Sequence, residues 1–147
     1  MADIKWSAFP SVGDLEPGDI IVGLRSGANV QFTAPVFGND VVVVTGATQA
    51  MTANVAYIAN RGTLITFSLP TSSVVGDKIS VVGQGAGGWT IHQAASQQIQ
   101  IGDVASTVGT GGSVASSNQW DSLTLICITA NDVWTAFGGW VGNLTYV

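Results

Sequence analysis

Short runs of β-branched and aromatic residues, each closed by glycine, proline or asparagine, constrain the fold of this chain more than any other feature. The clearest runs are Val41–Val44, Val55–Ala59, Thr63–Leu69 and Ser122–Ile128. Apolar residues alternate along the longer runs, which is the period of a half-buried strand and not of a helix. About nine to twelve such runs at steady spacing predict an all-β fold, an antiparallel β-sandwich of jelly-roll type.

The N-terminal part differs from this pattern. Residues 1–18 place Trp6 and Phe9 among glycines and prolines without a steady period, which predicts an extended arm whose aromatic side chains need a surface to pack on. Asp19–Leu24 and Asn29–Thr33 then predict a β-hairpin. The arm and the hairpin together indicate a segment for docking or assembly.

We therefore divide the chain into residues 1–50, the arm and hairpin, and residues 51–147, the β-sandwich module. The polar, alanine-rich passage Thr45–Asn54 is the one place where a turn of helix is expected. In the tight turn Asn60–Gly62, the glycine is expected to adopt a left-handed conformation.

A glycine-rich stretch past the middle has the spacing of a dinucleotide-binding loop. Gly83, Gly85 and Gly88 form the pattern G-x-G-x-x-G, and Asp103 follows about twenty residues after it. That loop functions only where a helix begins at the glycines, whereas Trp89–Gln93 alternates as a strand. The stretch therefore predicts a wide connection between strands, in which glycines permit close approach of backbones.

The chain is poor in charge, since 9% of its residues are charged, whereas soluble domains average about 25%. This shortage predicts that part of the surface is covered by further copies of the chain. The net charge is −5 and no basic stripe occurs, so nucleic acid is not an expected partner. No apolar run has the roughly 18 residues of a membrane helix, and no membrane partner is expected.

The chemistry-bearing residues do not predict a catalytic centre. His92 and Cys127 are the single histidine and the single cysteine, which is too few for a zinc site and gives no nucleophile with an oriented base. His92 is expected on a strand surface and Cys127 in the core. We predict a protein that is not an enzyme and has no cofactor or metal; a calcium site made of turn carboxylates such as Asp77 is the alternative.

One polar loop is a candidate contact surface. Asn118, Gln119, Trp120 and Asp121 follow a stretch rich in glycine and serine, and Trp120 is the tryptophan most expected to be exposed. An exposed indole can stack on a sugar ring while neighbouring polar groups bind its hydroxyls. Packing of Trp120 in the core or between subunits is nevertheless the interpretation that the sequence favours over sugar binding.

Several segments resemble a module of tailed-bacteriophage tail fibres and related virion proteins, over about residues 55–147. The segments are Tyr57–Asn60, Thr66–Pro70, Val75–Asp77, Gly83–Trp89, Gly109–Ser113, Ser117–Asp121 and Gly142–Thr145, with Gly18–Leu24 resembling an early segment of such proteins. The resemblance implies a virion protein, commonly trimeric, at the tail or capsid surface. We therefore expect a short tail fibre or receptor-binding module that attaches to the host, with host-surface glycan as a partner.

The chain is short and has no shaft before the module, which favours an alternative within the same class. It would then be a capsid cement or decoration protein whose arm, with Trp6 and Phe9, clamps coat subunits. In either case other virion proteins are expected to bind through residues 1–50. A depolymerase would need a facing pair of carboxylates, and no spacing in the sequence predicts one.

Overall fold

A computed structural model of the protein describes residues 20–25, 28–33 and 40–147. The chain forms two compact units, Met1–Gly38 and Asn39–Val147, so the boundary lies twelve residues before the predicted one at residue 50. In the first unit, two strands pair antiparallel with Ile20 opposite Thr33, which confirms the predicted hairpin. The predicted assembly arm, with Trp6 and Phe9, lies outside the described residues.

All regular structure in the described residues is β-strand, as predicted. The strands are β1 (Ile20–Arg25), β2 (Ala28–Thr33), β3 (Asp40–Val44), β4 (Thr48–Ala50), β5 (Val55–Ala59), β6 (Ile65–Ser68), β7 (Lys78–Gly83), β8 (Trp89–His92), β9 (Gln98–Ile101), β10 (Val104–Ala105), β11 (Ser113–Ser116), β12 (Ser122–Thr129), β13 (Val133–Val141) and β14 (Leu144–Tyr146). The helical turn expected within Thr45–Asn54 is wrong, because β4 occupies that passage.

The second unit is a sandwich of two sheets. One has seven strands in the order β10-β9-β13-β12-β7-β5-β3, and the other has five in the order β14-β11-β8-β6-β4. Their inward side chains pack into one core, in which Phe67 and Trp89 of the smaller sheet and Leu125 and Trp134 of the larger are fully buried. Cys127 is also buried there, as predicted. The all-β sandwich is thus confirmed.

The pairing of the strands differs from the predicted antiparallel arrangement. From β3 to β8 the chain passes alternately between the two sheets, so that β3, β5 and β7 are parallel in one and β4, β6 and β8 are parallel in the other. Within the second unit, every antiparallel pair includes at least one strand from β9 onward, and the pair β9–β13 is parallel. A jelly roll is antiparallel throughout, and that part of the prediction is not confirmed.

The glycine-rich stretch connects β7 to β8, and β8 follows it directly without a helix, as predicted. Its backbone lies on the connection between β5 and β6, since the amides of Gly85 and Gly87 donate to the carbonyls of Ala59 (2.8 Å) and Arg61 (3.0 Å). A Cβ at either glycine would collide with the backbone of Arg61 or Thr63. Close approach of two backbones therefore explains these glycines.

Candidate functional site

The predicted contact loop is a tight turn, Ser117–Asp121, between β11 and β12. Trp120 is 60% exposed and has a positive φ of 72°. Its amide donates to the carbonyl of Gly83 at 2.8 Å, and the amide of Gly83 donates to the carbonyl of Asp121 at 3.0 Å. These two bonds fasten the turn to the end of β7, so the exposed indole is carried on a fixed backbone.

The four predicted contact residues divide into two groups. Asp121 is 3% exposed, and its carboxylate accepts from the amides of Ser117 (2.9 Å) and Asn118 (2.8 Å). It therefore holds the turn and does not face solvent with the others. Asn118, Gln119 and Trp120 are exposed, and the side-chain amide of Gln119 donates to the carbonyl of Gln84 at 2.7 Å.

A groove that the sequence did not predict lies next to this turn, at the open edge of the sandwich. Its volume is about 240 Å³. The turn between β9 and β10 forms one wall, with Gly102 and Asp103, and the segment that contains Asn143 and Tyr146 forms the other. Trp140 closes the groove between them.

The groove lies beyond the part of β13 that pairs with β9, which ends at Ile101. Their parallel pairing extends to Thr135, and β13 continues to Val141 without that partner. Gly138 and Gly139 both have a positive φ (76° and 93°), a conformation that a residue with a side chain rarely adopts. This irregular stretch places Trp140 at the edge of the sheet, where it is 46% exposed.

Gly142 and Asn143 line the groove and also contact the turn that carries Trp120. A Cβ at Gly142 would overlap the carboxylate of Asp121, so this position packs directly on the residue that holds the turn. The backbone carbonyl of Asn143 accepts from both the amide (3.1 Å) and the hydroxyl (2.6 Å) of Ser117. One wall of the groove is therefore fastened to the turn that carries Trp120.

Sequence reasoning missed Trp140 because tryptophans in a sandwich are usually buried, as Trp89 and Trp134 are. A signal was present in the glycines that flank Trp140, at positions 138, 139 and 142. A strand with so many glycines packs poorly and marks a bend or bulge.

The two outer faces of the sandwich differ in chemistry. Across β3, β5, β7 and β12 the larger sheet presents mainly aliphatic side chains: Val41, Val43, Ala56, Ile58, Ser80, Val82, Ser122, Thr124 and Ile126. Alternation places the exposed Lys78 on the same side, at the start of β7. The smaller sheet presents His92 and the hydroxyl groups of Thr48, Thr66, Ser68 and Thr145, whereas Thr90 and Ser113 on the same side are buried. We call the first surface the aliphatic face and the second the hydroxyl face.

The remaining ionisable residues do not form a reactive centre within the described chain. His92 lies partly exposed on β8, as predicted, opposite Ser68 and Ser113. Asp77 accepts from the amide of Val74 at 2.9 Å, so its carboxylate closes the turn before β7. No group of three His, Cys, Asp or Glu residues in the described ranges could hold a metal ion. None of these residues forms a helix that could cross a membrane.

Comparison with known proteins gives no family for this chain. It matches no protein-family model, and no curated protein matches its sequence. The resemblance to virion proteins therefore stays a prediction from sequence segments, and the functional conclusions below depend on the surfaces just described.

Proposed function

We propose that this chain is a non-enzymatic structural protein of a bacteriophage virion, which associates as a homotrimer and attaches to the host surface as a short tail fibre or receptor-binding module. The resemblance over about residues 55–147 supports the class of protein. The aliphatic face is the observation that carries the proposal, because it supports self-association independently of that resemblance.

The aliphatic face is suited to contact with another copy of the same chain. With a net charge of −5, two copies repel one another unless their contact surface lacks acids. Because side chains alternate along a strand, none of the described acidic residues projects from this face. Asp40 lies four residues before the buried Val44 and is therefore on the same, inner side of β3. Lys78, the cation at its border, lies over the ring of Phe137 at 4.8 Å.

The extent of the aliphatic face is limited. Four strands about 4.8 Å apart, each about five residues long, cover roughly 320 Å² of flat area per copy. The relief of the side chains adds to this area, but it stays below the roughly 800 Å² per partner of a standard interface, so contacts outside the face must also contribute to the trimer. The low charge content of the chain has the same explanation, since a covered surface needs few charges.

Attachment to the host is supported by the exposed aromatic side chains of the turn and the groove. Trp120, Trp140 and Tyr146 are each about half exposed or more, and the backbones that carry them are fastened by hydrogen bonds. Exposed aromatic side chains on a rigid support are typical of recognition surfaces. Host-surface glycan is the ligand class that these residues favour.

The assembly is tested by size-exclusion chromatography with light scattering at micromolar concentration. We expect a mass three times 15.0 kDa for the wild type. Ile58→Lys, on the aliphatic face, should give monomers because it places a charge in the interface. Thr66→Lys is the matched control, since Thr66 lies on a parallel strand of the hydroxyl face and should leave the trimer intact. A monomeric wild type would refute the proposal.

The location is tested by immunogold labelling of the parent phage. Label at the tail supports the attachment function. Label over the head would instead support the alternative, a capsid decoration protein, which the aromatic residues Trp6 and Phe9 of the N-terminal arm favour. In that case deletion of residues 1–18 should abolish capsid binding, and normal decoration by the shortened chain would exclude the clamp.

A further inference from the structure

We propose that the groove closed by Trp140 binds one neutral pyranose ring of a glycan. This inference rests on the proposed attachment function and assigns it a site and a ligand class. It also distinguishes the groove from the neighbouring Trp120 turn, which was the candidate contact surface in the sequence. Four side chains carry it: Trp140, Tyr146, Asp103 and Asn143, all of which line the groove and are exposed.

The groove has the size of a single sugar ring. Pockets for drug-sized ligands occupy roughly 300–1,000 Å³, and the groove, at about 240 Å³, is smaller. Trp140 and Tyr146 are each 46% exposed, so both rings offer surface to a ligand. The C–H bonds of a pyranose form an apolar patch, and aromatic rings with a polar edge bind such amphipathic partners.

The polar groups of the groove match hydroxyls and do not match anions. The hydrogen bonds among the described residues use the backbone carbonyl of Asn143 but neither its side-chain amide nor the carboxylate of Asp103. The carboxylate accepts, and the amide both donates and accepts, which suits the hydroxyls of a sugar. No Lys or Arg lines the groove, and Asp103 repels acidic sugars.

The walls are held in place before a ligand arrives. Ser117 fastens Asn143, as described above. Val147, which follows Tyr146, donates to the carbonyl of Ser113 at 3.0 Å and accepts from the amide of Thr107 at 2.8 Å. A site whose side chains are already positioned loses less conformational entropy on binding.

The test is saturation-transfer NMR with the full chain and the methyl glycosides of glucose, galactose and mannose, with methyl glucuronide as the acidic comparison. A single ring of about twelve heavy atoms should bind with a dissociation constant of about 1 mM. We expect at least one neutral glycoside to bind at that level and the glucuronide to bind at least tenfold more weakly.

Variants then locate the ligand. Tyr146→Ala and Asp103→Ala should each weaken binding about tenfold or more, while Tyr146→Phe, which keeps the ring, should bind nearly as well as the wild type. Leu64→Ala is the control and should bind normally, because Leu64 is 51% exposed and does not line the groove. Near-ultraviolet circular dichroism verifies that each variant is folded.

Three results would overturn the inference. The first is that no neutral glycoside binds the wild type with a dissociation constant below about 10 mM. The others are that the glucuronide binds as tightly as the neutral glycosides, or that Trp120→Ala abolishes binding while Tyr146→Ala does not. None of these three results by itself contradicts the proposed function. That proposal fails on different results, a monomeric wild type or the absence of label on the virion.

Discussion

Replacing Gly87 by alanine should destabilise the sandwich strongly for a change of one methyl group. Gly87 lies in the connection between β7 and β8, where its backbone rests on the connection between β5 and β6. The added Cβ would collide with the carbonyl carbon and oxygen of Thr63, which belong to a backbone and cannot rotate away. The two connections must therefore move apart.

The size of the effect follows from what that movement breaks. Overpacking against fixed atoms costs about 1–3 kcal/mol. The bonds from Gly85 to Ala59 and from Gly87 to Arg61 hold the connections together, and losing both adds about 1 kcal/mol each. We therefore expect Gly87→Ala to lower the free energy of unfolding by about 3–5 kcal/mol, a large part of the roughly 5–15 kcal/mol of a typical domain.

Gly62→Ala is the control, in the same pair of connections. Nothing lies within 4 Å of a Cβ at Gly62, and its φ is not positive, so the left-handed conformation expected from the sequence is wrong. The substitution should be neutral or stabilise by up to about 1 kcal/mol, because alanine reduces the entropy of the unfolded chain.

The assay is urea unfolding followed by the fluorescence of the buried tryptophans Trp89 and Trp134, at one fixed protein concentration because association also contributes to stability. If the free energies of unfolding of Gly87→Ala and Gly62→Ala differ by less than about 1 kcal/mol, the two connections separate easily and the reasoning from backbone contact is wrong.

Three further substitutions test the core by the same urea assay. The side chain of Gln97 is fully buried; it accepts from the amide of Ala94 (2.9 Å) and donates to the carbonyl of Pro70 (2.8 Å). Gln97→Leu leaves both backbone groups unpaired and should lower the free energy of unfolding by about 2–4 kcal/mol. A change below about 1 kcal/mol would mean that water replaces the side-chain amide. Trp89→Phe should destabilise by about 1 kcal/mol more than Trp134→Phe, because the indole N–H of Trp89 donates to a backbone carbonyl at 3.0 Å, whereas that of Trp134 has no partner among the described residues. Equal losses would show that the indole bond contributes nothing.

Local patterns in the sequence predicted the strands well. Alternation along Ser122–Ile128 identified β12 and the inward side of Leu123, Leu125 and Cys127, all of which are buried. The hairpin of β1 and β2 was visible because both strands and their turn are adjacent in the chain. Trp120 was the tryptophan most expected to be exposed, since it lies between polar residues in a loop, and it is 60% exposed.

The partners of the strands could not be predicted in the same way. Alternation determines which side of a strand is buried, but it does not indicate whether the next strand in the chain joins the same sheet or the opposite one. Asp40 pairs with Val55 after fifteen residues, and Val55 pairs with Ile79 after twenty-four. These unequal intervals leave no sequence period that would reveal the parallel winding.

The candidate site, too, could be predicted from the sequence only in part. The sequence by itself determined a charge-poor all-β chain with a glycine-rich connection and an exposed Trp120, because composition, alternation and turn residues act over a few neighbouring positions. Only the tertiary structure brought Asp103, Trp140 and Asn143 together in one groove, and only it placed the aliphatic residues on one face and the hydroxyl residues on the other. The physical reason is that a groove and a face arise from strands distant in sequence, whose pairing is decided by the packing of the whole core.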